Sequence, residues 1–180
     1  MTFYQNPFFW AMIGMFSLVG GGVIVSSRKS GYSVLYGAVV VTVFVLARGV
    51  LVLPFCIQPR FEANGWHLFV GGAIFVLGLI FSVPALAIKP LTAPNEQMRL
   101  VVTGFYALVR NPIYLGEVLW FLGWSIMFRS VIGLAIAPLW WMALLLHTLV
   151  EEDALERALG EKYLAYKRKV RGRIIPGLPI

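Results

Sequence analysis

The stretch Gln97–Tyr114, QMRLVVTGFYALVRNPIY, is where an otherwise apolar chain turns polar, makes a turn and re-enters an apolar helix. Gly104 and Pro112 bracket Tyr106, Arg110 and Asn111. A residue that precedes proline is biased away from the helical region, so Asn111 is expected to be extended or turned. Pro112 suits the first turn of the next helix, where a missing N–H costs nothing. The N–H groups at that helix start are expected to face a ligand, with Tyr106 and Tyr114 on either side. The rest of the chain reads as a scaffold for this entrance, or as a lid that returns to it.

Composition sets the solvent. The chain has 180 residues, enough for one domain. Hydrophobic residues make up 59% and the mean hydropathy is +0.82, far above the apolar share of a soluble domain. This implies an integral membrane protein. A single cysteine, Cys56, excludes an internal disulfide and a cysteine-based metal cluster. Two histidines, His67 and His147, are too few for a metal site, and none is expected. The net charge of +7 does not imply nucleic acid: 7 of the 15 basic residues crowd into Arg157–Arg173, beside a membrane span. Attraction to anionic headgroups is the simpler reading. The start MTFYQNPFFW lacks a basic n-region, so no cleavable signal is expected.

Upstream of the central stretch, three apolar runs are long enough to cross a bilayer: about Phe8–Ser26, Val34–Phe55 and Trp66–Ile88. The first contains Gly20-Gly21-Gly22, read as a site of close helix packing. The second carries Arg48 and stops at Pro54. A basic loop at Arg28 and Lys29 and a polar linker, Lys89–Met98, join the pieces. Downstream, runs at about Ile113–Phe128 and Val131–Val150 are separated only by a tight turn near Arg129-Ser130 and read as a helical hairpin. In the tail, Glu151–Lys169, the residues Leu155, Leu159, Tyr163, Tyr166 and Val170 recur at helical spacing with charges between them. That pattern is an amphipathic helix. The expected fold is therefore an all-α integral membrane protein, one domain over 1–180, with about five transmembrane helices and a C-terminal amphipathic helix. Residues 1–90 supply scaffold spans, and 91–180 supply the motif, hairpin and tail.

With five spans, Arg28, Lys29, Lys89, Arg99, Arg110 and the basic tail share one side, and only Arg60 and Arg129 fall on the other. The positive-inside rule then makes the protein multi-pass with its motif facing the cytoplasm. The six tryptophans are read as an aromatic belt near span ends.

The hairpin returns Glu151-Glu152-Asp153 to the face that carries the motif. Carboxylates there can accept hydrogen bonds from a polar ligand; alternatively they are favourable charges on a first helical turn, the reading preferred for Glu152 and Asp153. Arg48 and Glu117 are ionisable residues inside spans, each a functional candidate by default, or else a pair that neutralises itself. Glu117 lies one turn after Tyr114, and His147 one turn before Glu151, so each shares a face with its neighbour. His147, Glu117 and Arg48 are the substrate-side candidates. No Gly-rich phosphate loop, Ser/His/Asp set or His-x-x-x-His pair is present, which disfavours hydrolase, kinase and metalloenzyme chemistry.

Leu100-Val101, Gly104, Tyr106, Arg110-Asn111-Pro112-Ile113-Tyr114, Gly116, Glu151-Glu152, Leu155, Leu159-Gly160, Tyr163, Tyr166 and Pro176 follow one another in an order that resembles the isoprenylcysteine carboxyl methyltransferase and phospholipid methyltransferase group of membrane enzymes. The resemblance covers roughly 97–176. It implies methyl transfer from S-adenosylmethionine to a lipophilic or lipid-anchored acceptor: an isoprenylcysteine-type carboxylate, a phospholipid amine or an alkyl thiol. It implies further that Arg99, Leu100, Val101, Tyr106, Asn111, Pro112, Ile113 and Tyr114 line the cofactor pocket and that Glu151 closes it. Two positions depart from the group's pattern. Asn111 stands where histidine is frequent, and His147 stands where the isoprenylcysteine enzymes carry an arginine that faces the substrate carboxylate. A non-enzymatic small transporter or assembly protein, and a nicotinamide-dependent membrane reductase on a related scaffold, are the alternatives. Transporters usually show two related halves, whereas here the polar chemistry all lies in the second.

Overall fold

The computed structural model describes residues 2–26, 34–88 and 99–178, so the expected basic loop at Arg28 and Lys29 and the linker Lys89–Met98 lie outside the described residues. Every regular element within them is helical. In chain order these are α1 (Pro7–Ser26), α2 (Val34–Leu51), α3 (Trp66–Ile88), α4 (Pro112–Met127), α5 (Val131–Leu159) and α6 (Glu161–Lys169), with short 3-10 turns at Phe3–Gln5 and Gly104–Ala107. Among the described residues two helices, α3 and α5, are long and apolar enough to cross a membrane, and three shorter apolar helices accompany them.

Two boundaries differ from expectation. α2 stops at Leu51 rather than Phe55, because helices end before the residue that precedes a proline and Pro54 follows closely. The carbonyls just past its end are held by Arg60, whose Nη2 donates to the oxygens of Val52 (3.2 Å) and Leu53 (2.8 Å). The same guanidinium also donates to the carbonyl of Phe128, past the end of α4, so one arginine ties two helix ends together. The second difference concerns the tail. α5 does not end at Val150; it runs 29 residues to Leu159, about 43 Å at 1.5 Å per residue. Nothing in EEDALERAL breaks a helix, and the first breaker is Gly160, at φ 53°. The expected single helix Glu151–Lys169 is therefore the end of α5 plus a separate α6.

The burial pattern of α3 is the reverse of that of a water-soluble helix. The buried residues of α3 are Gly71, Gly78, Ser82 and Ala85, while Phe69, Val76, Ile80 and Val83 point outward and are exposed. Arg48 is wholly buried. The small face of α3 packs on α4, the most extensive helix pair among the described residues. A Cβ placed on Gly78 would sit 2.3 Å from the Trp120 amide nitrogen, and one on Gly123 would sit 2.3 Å from that of Phe75. Such contact between backbones requires glycine, and is the way helices associate where burying apolar surface gives no advantage.

Within the glycine run the close packing falls to Gly21, where a Cβ would sit 3.2 Å from the Val40 side chain of α2, whereas one on Gly20 would meet nothing. The aromatic belt also needs correction. Trp120 and Trp140 belong to the core, with Leu18, Phe44, Leu51, Val52, Phe121, Ala137 and Leu144 from α1, α2, α4 and α5. Ser130 caps α5, accepting from the Gly133 N–H at 2.9 Å, which fixes the tight turn that makes α4 and α5 a hairpin.

Candidate functional site

The motif is built by its two backbone punctuators. Gly104 takes φ 62° and opens a 3-10 turn that buries Tyr106. Asn111 (φ −129°, ψ 64°) stands just outside α4, and Pro112 is its first helical residue, both as expected. The N–H groups of Arg110 and Asn111, just ahead of that helix, are taken up by the tail. They donate to the carbonyls of Gly172 and Arg173, each at 2.9 Å, so the segment after α6 is strapped along the motif.

Glu152 anchors that strap. It is 2% exposed and accepts from Arg110 through both Nε (2.9 Å) and Nη2 (3.3 Å), from the Asn111 side-chain amide (3.0 Å) and from Arg173 Nε (3.2 Å). Arg110 Nη1 donates onward to the carbonyls of Val170 and Arg171, at 2.8 and 2.7 Å. Glu152 is thus the joint between α5, the motif and the tail, and the preferred reading of it as a favourable charge on a first helical turn is wrong. A buried carboxylate persists only when paired and fully hydrogen-bonded, and this one is. Asp153, the next residue, is exposed and pairs with Arg157 one turn on.

The apolar face of the tail closes the same region. Leu159, Tyr163, Tyr166 and Val170 form a second core, with Leu100 and Leu155 against it. Tyr166 donates to the Tyr106 carbonyl at 2.7 Å, and the Tyr106 hydroxyl lies 3.4 Å from the Ala85 carbonyl of α3. Burial holds the Tyr106, Tyr163 and Tyr166 phenols well above their ordinary pKa, reinforced for Tyr106 by the Glu151 charge and for Tyr163 by that of Glu152. They are therefore neutral donors at any physiological pH.

Glu151 turns the other way. Its Oε2 accepts from the Tyr114 hydroxyl at 2.7 Å, joining the first turn of α4 to the far part of α5. The His147 ring lies edge-on to that of Tyr114, with centroids 5.8 Å apart. Tyr114, His147 and Glu151 therefore form one cluster. One turn deeper, Glu117 pairs with Arg48 of α2. The Arg48 guanidinium carbon lies 3.8 Å from the Phe44 ring centroid and 4.8 Å from that of Trp120. Beside this pair a half-open cavity of about 230 Å³ lies among α2, α4 and α5, its walls mostly apolar.

Comparison with known proteins places this geometry. The model of the phospholipid methyltransferase family matches residues 65–162, more than half of the chain. The chain belongs to the phospholipid methyltransferase family. A similar curated protein is the human protein-S-isoprenylcysteine O-methyltransferase, 36% identical over 77 residues, which are 42% of this chain and 27% of that protein. The chain thus matches little more than a quarter of that relative's length. No solved structure matches the chain.

The phospholipid methyltransferase segment runs from just before α3 into α6, so it carries the motif, the hairpin, Glu151 and Glu152. It leaves α1, α2 and the strap 170–178 outside. Among the candidate residues, the structure brings together Tyr114, His147 and Glu151, and separately Arg48 with Glu117. Asn111 and Pro112 are buried at the motif, Ile113 is half-buried, Leu100 packs into the tail core, and Arg99 is exposed. Val101 is half-buried beside Leu100 in the extended stretch before the Gly104 turn. Reasoning from the sequence missed Arg173, Trp140 and Trp141. Nothing in the chain pattern marks Arg173, but both tryptophans sit mid-helix, where an interfacial belt has no reason to place them.

Proposed function

We propose that this protein transfers a methyl group from S-adenosylmethionine to a lipophilic acceptor at the membrane. The observation that carries the reading is the Tyr114–Glu151 contact, which joins the motif to the far part of α5 and stands one helical turn above an apolar cavity. Family membership and the likeness to protein-S-isoprenylcysteine O-methyltransferase support it, and speak against a transporter or a nicotinamide-dependent reductase.

The residues present fit the donor. A sulfonium is a cation, and an aromatic face with an adjacent carboxylate attracts it: Tyr114 and Glu151 offer that pair. S-adenosylmethionine supplies an activated methyl group for an in-line displacement. What remains for the protein is to hold both reactants in line and keep water away. In this reading Tyr114, Glu151, Ile113 and Pro112 contact the donor, and Tyr106, Asn111 and Leu100 position the walls. Val101 and Arg99 lie along the approach from the aqueous side. His147, edge-on to Tyr114, is placed to receive a proton from an amine or thiol acceptor. A carboxylate acceptor needs no such step.

We place the protein in the bilayer as a multi-pass domain of about five spans, with the motif and tail toward the cytoplasm. The outward-facing apolar side chains of α3 and the basic tail support this arrangement. The test is mass spectrometry of lipids and small metabolites from the host with and without the protein. The expected result is a species heavier by one methyl group that depends on the protein; identical profiles would remove the proposal.

A further inference from the structure

The end of the α4–α5 hairpin away from the motif holds a second cavity, of about 370 Å³, lined by Pro54, Arg60, His67, Met127, Phe128 and Arg129. It has two guanidiniums and an imidazole in its walls and no acid. Arg60 spends its guanidinium on neutral groups, the carbonyls of Val52, Leu53 and Phe128. Neither Arg60 nor Arg129 meets a carboxylate among the described residues. Burial and the Arg129 charge together hold the Arg60 pKa below its ordinary value, so the two cations act on each other. Like charges around one hollow repel, and an anion between them turns that repulsion into attraction.

The backbone fixes this arrangement. The Phe61 N–H donates to the Arg129 carbonyl at 3.1 Å, and the Val131 N–H to that of Pro59 at 3.2 Å. The loop before α3 is thereby pinned to the hairpin turn. Arg129 itself takes φ 55°, the left-handed region that glycine enters freely and arginine does not. A long cation kept in a conformation that disfavours it points to a use for the side chain rather than for the turn. Phe55 and Trp66, next in the chain to Pro54 and His67, are exposed. Trp66 opens α3, and a tryptophan at the end of a spanning helix lies at headgroup depth.

We propose that this cavity is a phosphate site, in which Arg60 and Arg129 hold one phosphate group, of a lipid headgroup or of free phosphate, and so staple the loop before α3 to the hairpin turn. The guanidinium fork matches phosphate oxygens, which supply the acceptors that the walls lack. The exposed Phe55 and Trp66 favour the lipid as the source. The 16 residues of α4, about 24 Å, separate this site from the motif, so its occupant is not the methyl acceptor. The proposal therefore stands apart from the methyl-transfer reading. Arg60 also lies outside the segment that matches the family.

The full chain in a non-ionic sugar detergent is titrated with dioctanoyl phosphatidate, with dioctanoylglycerol, which has the same chains and no phosphate, and with inorganic phosphate. Phosphatidate is expected to bind about tenfold or more tightly than dioctanoylglycerol and to raise Tm. The basic tail also attracts anions, so the decisive comparison is with Arg129→Gly, which keeps that tail. This variant is expected to lose about tenfold in phosphatidate affinity. Its Tm without ligand should be unchanged or higher, because glycine relieves the backbone. Arg129→Gln, which keeps a side chain without the charge, should lose as much affinity. Inorganic phosphate that binds as tightly as phosphatidate, and through Arg129, assigns the site to free phosphate. Arg129-dependent binding of phosphatidate alone assigns it to a lipid headgroup. Affinities for both anions that are unchanged in the two variants, or a Tm that falls in Arg129→Gly without ligand, overturn the proposal.

Discussion

Replacing Glu152 with alanine is expected to destabilise the protein by about 3–5 kcal/mol, because it leaves Arg110 charged and buried without its partner. The loss is larger than for an ordinary ion pair, since four donors converge on this one carboxylate. At the usual scaling for a chain of this size it corresponds to a fall in Tm on the order of 10 °C. The strap should detach as well, so trypsin should cut at Arg171 and Arg173 in the variant well before it does so in the parent. Pairing Glu152→Leu with Arg110→Met should recover part of the loss, because no charge is then stranded. The recovery stays partial, since the carbonyls of Val170 and Arg171 lose their donor. An unchanged Tm together with a protected tail would show that Glu152 holds nothing in place.

Gly78→Val is expected to be nearly as damaging. Its first added carbon would lie 2.3 Å from the Trp120 nitrogen, and the obstacle is backbone that cannot rotate aside. α3 and α4 must move apart, at a cost of about 3 kcal/mol, and α4 carries the motif's first turn. The control lies six residues earlier in the same helix. A Cβ on Gly72 would meet nothing, so Gly72→Ala should be neutral, or stabilising by up to about 1 kcal/mol through helix propensity. Thermal unfolding of the two variants in one detergent checks both directions, and equal Tm values would contradict the close crossing.

Local chemistry was legible in the sequence where it depends on neighbours in the chain. Pro112 marks the start of α4, Asn111 the turn before it, and the short Arg129-Ser130 connection implies a hairpin that brings Tyr114 and Glu151 together. What was not legible depends on which way a helix faces. Glu151 and Glu152 are adjacent, about 100° apart around α5; no pattern of spacing says that the first meets Tyr114 and the second is buried on Arg110. Likewise, the alternation of charges after Val150 marks where the surroundings of the helix change, whereas its end is set by Gly160. Arg48 and Glu117, 69 residues apart, were visible as buried charges, and their pairing was one of two open readings. The four glycines of the α3–α4 contact recur seven apart, Gly71 with Gly78 and Gly116 with Gly123. The consecutive run at Gly20 drew attention instead, although consecutive glycines point in different directions around a helix.

The central claim is that the first turn of α4 and the far part of α5 form one socket for a sulfonium nucleoside. Calorimetric titration of S-adenosylhomocysteine into the detergent-solubilised protein, its Tyr114→Ala variant and its Glu151→Ala variant tests it most directly. The account predicts saturable binding to the parent and a loss of about tenfold or more in each variant, the size of one charge-assisted hydrogen bond. Equal affinity in all three proteins would contradict it.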